Sequence, residues 1–236
     1  MKSLEQRLLA STDRLLNEAA CDVLTHGDRT KARLVVLDAV EAACGGWRLT
    51  DFWSLTGRDS TNVSTDPAPW ADKIRASIAE TGIPTALALS ALSREALPAS
   101  QQRKTGAYYT DWRLAELLTA TAVPEIDADG PWVDPACGSG MLLAAAAMQV
   151  PAGPERNAVI RDRLSGADLS ANALRGALLS VACLTEDLSA IKGFAGRLLR
   201  QDSLTSGPAW AELAPAGAAL VIGNPPWEKL RVSRHE

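Results

Sequence analysis

The feature that most constrains the fold is an alternation of short apolar runs and helical stretches, which begins near Pro98. The candidate strands are residues 132–133, 164–168, 197–204 and 218–222. Helical stretches at 141–148 and 171–184 separate the first three of them. Strands that alternate with helices favour a parallel, doubly wound sheet with right-handed crossovers. The fold class predicted for this part of the chain is therefore α/β, with about four strands.

A different pattern fills residues 1–97, which are predicted to form an N-terminal helical domain ahead of an α/β domain at 98–236. Apolar residues recur at helical spacing from Leu4 until His26 and Gly27 interrupt them. Further helices are predicted at 33–43, 67–82 and 86–96, and the polar stretch 54–65 is predicted to be a loop.

Composition narrows the class of protein. The 236 residues are 47% apolar, which is enough to bury a core and excludes wholesale disorder. No apolar run reaches the ~18–20 residues that cross a bilayer, and the first residues are too polar for a secretory signal peptide. We therefore expect a cytoplasmic protein with no membrane partner. The net charge of −4 lacks the basic excess typical of nucleic-acid binding, so any role on DNA must rest on a site.

The segment from Asp134 to Gly140 reads Asp-Pro-Ala-Cys-Gly-Ser-Gly and joins a predicted strand to an Ala-rich helix. Glycines at such a turn let the backbone approach a ligand closely, and the helix start offers N–H donors to a carboxylate or phosphate. The Gly-x-Gly-x-x-Gly fingerprint is absent because Met-Leu-Leu follows Gly140, which disfavours a Rossmann dehydrogenase. Taken alone, the turn also fits an ordinary strand–turn–helix connection.

Two carboxylates stand at the predicted ends of the next strands. Asp168 can accept hydrogen bonds from both ribose hydroxyls of a nucleoside, or it can cap the helix that follows. Asp202 can accept a bond from an exocyclic amino group, or it can be a solvated turn residue. Ligands of doubly wound sheets lie beyond the carboxyl ends of the strands, so both carboxylates fit one site.

The last cluster follows the strand at 218–222 and reads Asn224, Pro225, Pro226 and Trp227. Consecutive prolines cannot extend a sheet ladder, and they fix a stiff, extended backbone. The Asn224 amide oxygen and the Pro225 carbonyl can accept both hydrogens of a planar group's NH₂, while Trp227 stacks on its ring. Holding both hydrogens frees the nitrogen lone pair to attack an electrophilic methyl group. The alternative is a strand that simply ends in a proline turn.

These motifs together resemble the S-adenosylmethionine-dependent adenine-N6 DNA methyltransferases, in the class whose cofactor motif precedes the catalytic motif. That class includes the modification subunits of type I restriction systems and related phage-defence methylases. The segment from Arg103 to Thr110 resembles the family's upstream element, which closes over the methionine end of the cofactor. The family usually has proline after that threonine. Asp111 stands here instead, where it can cap a helix that starts at Trp112.

The resemblance implies a Rossmann-like methyltransferase sheet, S-adenosyl-L-methionine as cofactor, DNA as partner and no metal or covalent nucleophile. The implied catalytic residues, which would hold a target base flipped from its stack, are Asn224, Pro225, Pro226 and Trp227. Asp134, Ala136, Gly138 and Gly140 would line the methionine moiety, Asp168 the ribose and Asp202 the adenine. The other implied cofactor-binding residues are Gly106, Tyr108, Tyr109, Thr110, Cys137, Leu169 and Ser203.

The family's sheet has more strands than the four predicted here, and no DNA-recognition region is evident. We therefore expect an amino-terminal portion of a longer or split enzyme, inactive on DNA by itself. The remaining portion or a partner subunit would pair with the open edge of the strand at 218–222 and supply the recognition region.

Other functions stay open. By resemblance, Asn-Pro-Pro-aromatic also occurs in methyltransferases that act on RNA adenine, cytosine N4 or protein glutamine. A chain of this fold can also be a non-catalytic scaffold that binds the cofactor, or nothing, within a defence complex.

Overall fold

A computed structural model of the chain describes residues 4–23, 29–56, 65–94, 109–126, 128–203 and 207–225. These residues form an α/β structure with one parallel sheet and mostly helices, compatible with the predicted Rossmann-like fold. Four of the predicted site residues lie outside the described ranges, namely Gly106, Tyr108, Pro226 and Trp227.

The described N-terminal region consists of helices. They are α1 (Leu4–Val23), α2 (Arg29–Gly45), α3 (Leu49–Leu55), α4 (Ala68–Thr81) and α5 (Thr85–Leu92). Gly46 and Gly82 follow α2 and α4 with φ of 72° and 69°, in the left-handed region where glycine ends a helix without strain. The helices predicted from apolar spacing are confirmed. Helix α5 ends at Leu92, earlier than the predicted end at residue 96. The Ser93 hydroxyl donates back to the Leu89 carbonyl at 2.7 Å, and a turn follows.

Helix α3 was not predicted, and its last residues, Ser54 and Leu55, fall in the segment predicted to be a loop. The helix forms because Phe52 and Trp53 are buried in the core. The indole N–H of Trp53 donates to Asp38 on α2 at 2.9 Å. Packing of Phe52 and Trp53 therefore stabilises this short helix.

The second part alternates strands and helices as predicted. Its elements are α6 (Trp112–Ala122), a 3₁₀ turn (Val123–Glu125), β1 (Trp132–Asp134), α7 (Met141–Met148), α8 (Pro154–Ala158), a π turn (Val159–Arg163), β2 (Leu164–Ala167), α9 (Ala171–Ala182), α10 (Leu188–Ala195), β3 (Leu198–Leu199), α11 (Gly207–Leu213) and β4 (Leu220–Val221). The strand predicted at 197–204 extends to residue 204, which lies outside the described residues; within 197–203 only Leu198 and Leu199 form β3, because only they pair with β2. Helix α10 was not predicted, although Asp187 caps it and Ile191 and Phe194 give it a buried face.

The strands are all parallel and lie in the order β3-β2-β1-β4. Trp132 of β1 stands opposite Leu164 of β2 on one side and Leu220 of β4 on the other. The chain therefore builds outward from β1 through β2 to β3 and then reverses to place β4 on the other side. Such a reversal opens a crevice at the carboxyl ends of the strands, here between β1 and β4.

Helix α7 is the centre of the core, with Met141 to Ala147 all buried. Its small alanines let α5, α6 and α9 approach closely. One continuous apolar cluster includes the N-terminal helices and the sheet layer, for example Leu37 and Ile74 together with Leu143 and Ile160.

Polar contacts also join the N-terminal helices to the sheet layer. Asp38 on α2 is fully buried and pairs with Arg175 on α9. The hydroxyls of Ser90 on α5 and Ser139 before α7 lie 3.0 Å apart. The helical region therefore packs directly onto the elements that carry the predicted motifs. The domain boundary between residues 97 and 98 stays a prediction.

Strand β4 lies at the edge of the sheet that the described residues form, and Val221 is 56% exposed there. None of the described helices is both long enough and apolar enough to span a bilayer.

Candidate active site

The turn after β1 is held by the Asp134 side chain and by backbone hydrogen bonds. The Asp134 Oδ1 atom accepts from the Ala136 N–H at 3.1 Å, and the Cys137 N–H donates to the Ala167 carbonyl of β2 at 2.9 Å. The Gly140 N–H donates to the Cys137 carbonyl at 2.8 Å and leads into α7. The predicted strand–turn–helix is confirmed, and its turn is tied to the end of the neighbouring strand.

The two glycines of this turn serve different purposes. Gly138 has φ of 51°, and a Cβ there would meet no atom within 4 Å, so its surroundings are open. Gly140 has φ of 79°, and a Cβ there would lie 2.7 Å from Ala177 Cα on α9. Gly138 thus leaves room beside the turn, whereas Gly140 is required by close packing of α7 against α9.

Asp168 follows β2 and bonds to the first turn. Its Oδ2 accepts from the Gly138 N–H at 3.0 Å, and its Oδ1 accepts from the Ser170 N–H at 2.8 Å. Ser170 caps α9 by accepting from the Ala173 N–H, so the alternative role of Asp168 as the helix cap is wrong. The adjacent Leu169 is 67% exposed, which leaves an apolar side chain in the open beside the carboxylate.

The loop after β3 meets the same turn. The Ser203 hydroxyl donates to the Pro135 carbonyl, and the Ser203 side chain is buried. Asp202, its neighbour, is half-buried. The loops that follow β1, β2 and β3 are therefore joined to one another at one end of the sheet.

Asn224 joins the loop after β4 to this group. Its Nδ2 atom donates to Thr110 Oγ1 at 3.3 Å. A Cβ on the preceding Gly223 would lie 3.2 Å from Asp134 Oδ1, so the β4 loop passes close to the end of β1. Asp111 caps α6 by accepting from the Arg113 N–H at 3.0 Å, as predicted, and this places Thr110 at the helix start.

These loops line a small, partly open cavity of about 40 Å³. Its lining residues are Arg94, Tyr109, Thr110, Asp134, Ala136, Cys137, Gly138, Ser139, Met141, Leu142 and Asn224. Seven of these were predicted, from three separate parts of the sequence. Gly140, Asp168, Leu169, Asp202, Ser203 and Pro225 were predicted as well and lie outside this lining set. The cavity is partly open to solvent, and its volume is far below the ~300–1,000 Å³ of a pocket that holds a whole small-molecule ligand.

Burial sets the electrostatics of the cavity. Asp134 is 2% exposed, and desolvation, together with the nearby Asp168 charge, raises its pKa to about 7 against the opposing effect of the Ala136 N–H. Burial likewise raises the pKa of the Cys137 thiol well above its usual value, which makes it a poor nucleophile. The described residues contain no group of His, Cys, Asp and Glu that could hold a metal ion.

Sequence reasoning missed Arg94 as a site residue. It lines the cavity, donates to the Thr110 carbonyl at 2.6 Å and pairs with Glu5 of α1. Its guanidinium carbon lies 5.1 Å from the centre of the Tyr109 ring. Burial lowers the Arg94 pKa despite the Glu5 charge. No local pattern marks these contacts, since Glu5 and Arg94 are 89 residues apart.

A second, larger cavity of about 550 Å³ lies among α2, α4 and α5 and the end of α9. Cys44, Arg75 and Cys183 line it, and it contains none of the predicted residues. Burial is the main cause of the raised pKa of both thiols, so neither has the reactive character of a catalytic cysteine.

No protein-family model matches the chain, and no curated protein matches it. Among solved structures, the chain is similar to a protein in the cryo-EM structure of a DrdV–DNA complex, with 14% sequence identity and a TM-score of 0.46. The match covers 95% of this chain and 28% of that chain. At this identity and TM-score, the likeness assigns no function.

Proposed function

We propose that this chain carries the cofactor-binding and catalytic-loop part of an S-adenosylmethionine-dependent adenine-N6 DNA methyltransferase, in a restriction–modification or phage-defence system. The observation that carries the proposal is the convergence of Thr110, Asp134 and Asn224 on one cavity at the crevice between β1 and β4. The motifs lie far apart along the chain, and the crevice is where doubly wound sheets bind ligands. Cytosine N4, RNA adenine and protein glutamine are the alternative acceptors.

The residues around the crevice fit the two ends of S-adenosylmethionine. Asp134 is a buried carboxylate with a raised pKa, and a cationic ligand would stabilise its ionised form. Asp168 and the exposed Leu169 lie just beyond the Gly138 turn, where a ribose and an adenine ring need an acceptor and an apolar surface. The cofactor would supply an electrophilic methyl group on a sulfonium. That group would lie in the small cavity beside Asp134, while the nucleoside would lie along the open ends of β2 and β3.

The acceptor end rests on Asn224 and the backbone of Pro225. The bond to Thr110 uses the amide nitrogen of Asn224, which orients the amide oxygen away from Thr110. An oxygen held in this way can accept a hydrogen of the target amino group and fix the direction of the nitrogen lone pair. Orientation of this kind contributes to catalysis because the reactants meet in a fixed geometry.

The small volume of this cavity also favours a second candidate, a non-catalytic subunit whose site holds no nucleoside. Such a subunit would keep the fold and its packing but would bind no nucleoside. Calorimetry of the 236-residue chain with S-adenosylmethionine separates the two candidates. Saturable heat supports the methyltransferase, whereas its absence in a folded chain overturns the proposal and leaves the scaffold.

Catalysis is tested in the full-length protein with duplex DNA, and modified bases are identified by mass spectrometry. Asn224→Ala should abolish N6-methyladenine while S-adenosylmethionine still binds, because Asn224 is assigned to the acceptor. Asn172→Ala on α9 is the matched control, an asparagine that does not line the cavity. A product other than N6-methyladenine would identify one of the alternative acceptors.

A further inference from the structure

We propose that Arg94 and Glu5 are positioning residues that fix the catalytic loop through Thr110, an inference that rests on the proposed function. Glu5 lies on α1 and Arg94 follows α5, so the N-terminal helices would help to hold the site. The chain of contacts runs from Glu5 on α1 to Arg94, from Arg94 to the Thr110 carbonyl, and from the Thr110 hydroxyl to the Asn224 side chain.

Thr110 is the centre of this chain because it is held at two points. Its carbonyl accepts from Arg94 at 2.6 Å, and its hydroxyl oxygen accepts from Asn224 Nδ2 at 3.3 Å. The Tyr109 ring, 5.1 Å from the guanidinium carbon, adds a cation–π contact to the same segment. Movement of Arg94 would therefore move the acceptor that orients the Asn224 amide.

The pair with Glu5 holds Arg94 in place. The two side chains are 11% and 10% exposed, so neither can exchange its partner freely for water. Desolvating two charges offsets much of their attraction, and a buried pair is therefore weak support for stability alone. The planar guanidinium can meet Glu5 and the Thr110 carbonyl at once, which an ammonium cannot do with the same geometry. The ion pair with Glu5 is thus suited to fixing the orientation of the Arg94 guanidinium toward the Thr110 carbonyl.

The alternative role for Arg94 is direct binding of the cofactor's carboxylate, since Arg94 lines the cavity. The two roles predict opposite effects of Glu5→Gln. Loss of a competing carboxylate would tighten S-adenosylmethionine binding if Arg94 held the cofactor. If Arg94 instead positions Thr110, loss of the Glu5–Arg94 ion pair would lower the methylation rate and leave cofactor binding nearly unchanged.

The first test needs no cofactor. In the ligand-free chain, the side-chain amide resonances of Asn224, assigned by their loss in Asn224→Ser, should shift in Arg94→Lys and in Glu5→Gln. They should stay in place in Arg48→Lys, where an exposed arginine of the same region pairs with Asp51. Arg94→Lys keeps the charge and so preserves folding better than a neutral variant, which circular dichroism checks. Unchanged Asn224 resonances in both variants, with the fold intact, overturn the inference.

The second test uses the full-length protein, S-adenosylmethionine and duplex DNA. Arg94→Lys and Glu5→Gln should each lower kcat about tenfold, with less than about a threefold change in the Kd of S-adenosylmethionine. Combining Arg94→Lys with Thr110→Val should give little more than the larger single effect, because both act through Thr110. Multiplied effects, or tighter cofactor binding in Glu5→Gln, contradict a positioning role. Absence of cofactor binding in the unmutated protein refutes the proposed function instead, and the resonance test still decides the role of Arg94.

Discussion

The N–H of Gly138 donates to Asp168 Oδ2 at 3.0 Å, which fastens the turn after β1 to the end of β2. There is open space beside Gly138, since a Cβ there would meet no atom within 4 Å. Asp168 is the carboxylate that we assign to the ribose of the cofactor. The same carboxylate also accepts from the Ser170 N–H, which fixes its orientation at the start of α9. The Asp168 side chain is therefore expected to contribute both to the stability of the fold and to binding of the cofactor.

Asp168→Ala should weaken S-adenosylmethionine binding by at least about tenfold, because a hydrogen bond to a charged group is worth roughly 1.5–3 kcal/mol. It should also lower the free energy of unfolding, since the Gly138 and Ser170 N–H groups lose their acceptor. Calorimetry and urea denaturation measure the two effects. Asp162→Ala, at an exposed pair with Arg161, is the control and should change neither. Full affinity in a folded Asp168→Ala chain would remove Asp168 from the cofactor site.

Asp134 should make stability depend on pH. Its pKa is raised to about 7 in the folded chain from its ordinary value of 3.8, so the folded state binds the extra proton between these values. The free energy of unfolding therefore falls as the pH rises through this window and levels off above it. Asp134→Asn lacks this loss. Its stability relative to the unmutated chain should increase by about 2–3 kcal/mol between about pH 5 and about pH 8.

Urea denaturation at the two pH values tests this, because other titrating groups contribute equally to both chains. A difference that does not change with pH would mean that Asp134 is ionised throughout. The same variant should lose S-adenosylmethionine binding, since an amide cannot supply the negative charge assigned to the methionine end.

Gly140→Ala should destabilise the chain more than Gly82→Ala. Both glycines have φ near 70–80°. The left-handed conformation alone costs an alanine roughly 1–2 kcal/mol. At Gly82 a Cβ meets nothing within 4 Å, whereas at Gly140 it lies 2.7 Å from the Ala177 backbone. Overpacking adds about 1–3 kcal/mol. Chemical denaturation of both variants measures the difference, and equal losses would contradict the close approach of α7 and α9.

Asp38→Ala should lower the free energy of unfolding by about 3 kcal/mol, the lower end of the cost of breaking a buried ion pair, because the Arg175 side chain that loses its partner is 21% exposed. The indole N–H of Trp53 loses its acceptor as well. Asp51→Ala, which removes an exposed partner of Arg48, is the matched control and should have a much smaller effect. Thermal unfolding monitored by circular dichroism compares them. Similar losses for both variants would show that the contact between α2 and α9 contributes little.

Much of the fold could be predicted from the sequence because its signals are local. The apolar run Met141–Met148 has the bounds of α7, and Asp111 caps α6 as its type and position indicate. The alternation of strands and helices also determined the parallel sheet. Helix α3 was missed because packing of Phe52 and Trp53, rather than local sequence, stabilises it. Strand β3 is short because a strand extends only as far as its neighbour pairs with it.

The sequence by itself determined which residues are chemically unusual and that most of them follow strands. Only the tertiary structure decided which of them meet. It placed Thr110, Asp134 and Asn224 at one cavity, gave Gly140 a packing role, and brought Arg94 and Glu5 to the site from the N-terminal helices. The physical reason is separation along the chain. Hydrogen bonds and ion pairs between residues 89 or 114 positions apart leave no periodic pattern, and they exist only once the sheet order has fixed where each loop ends.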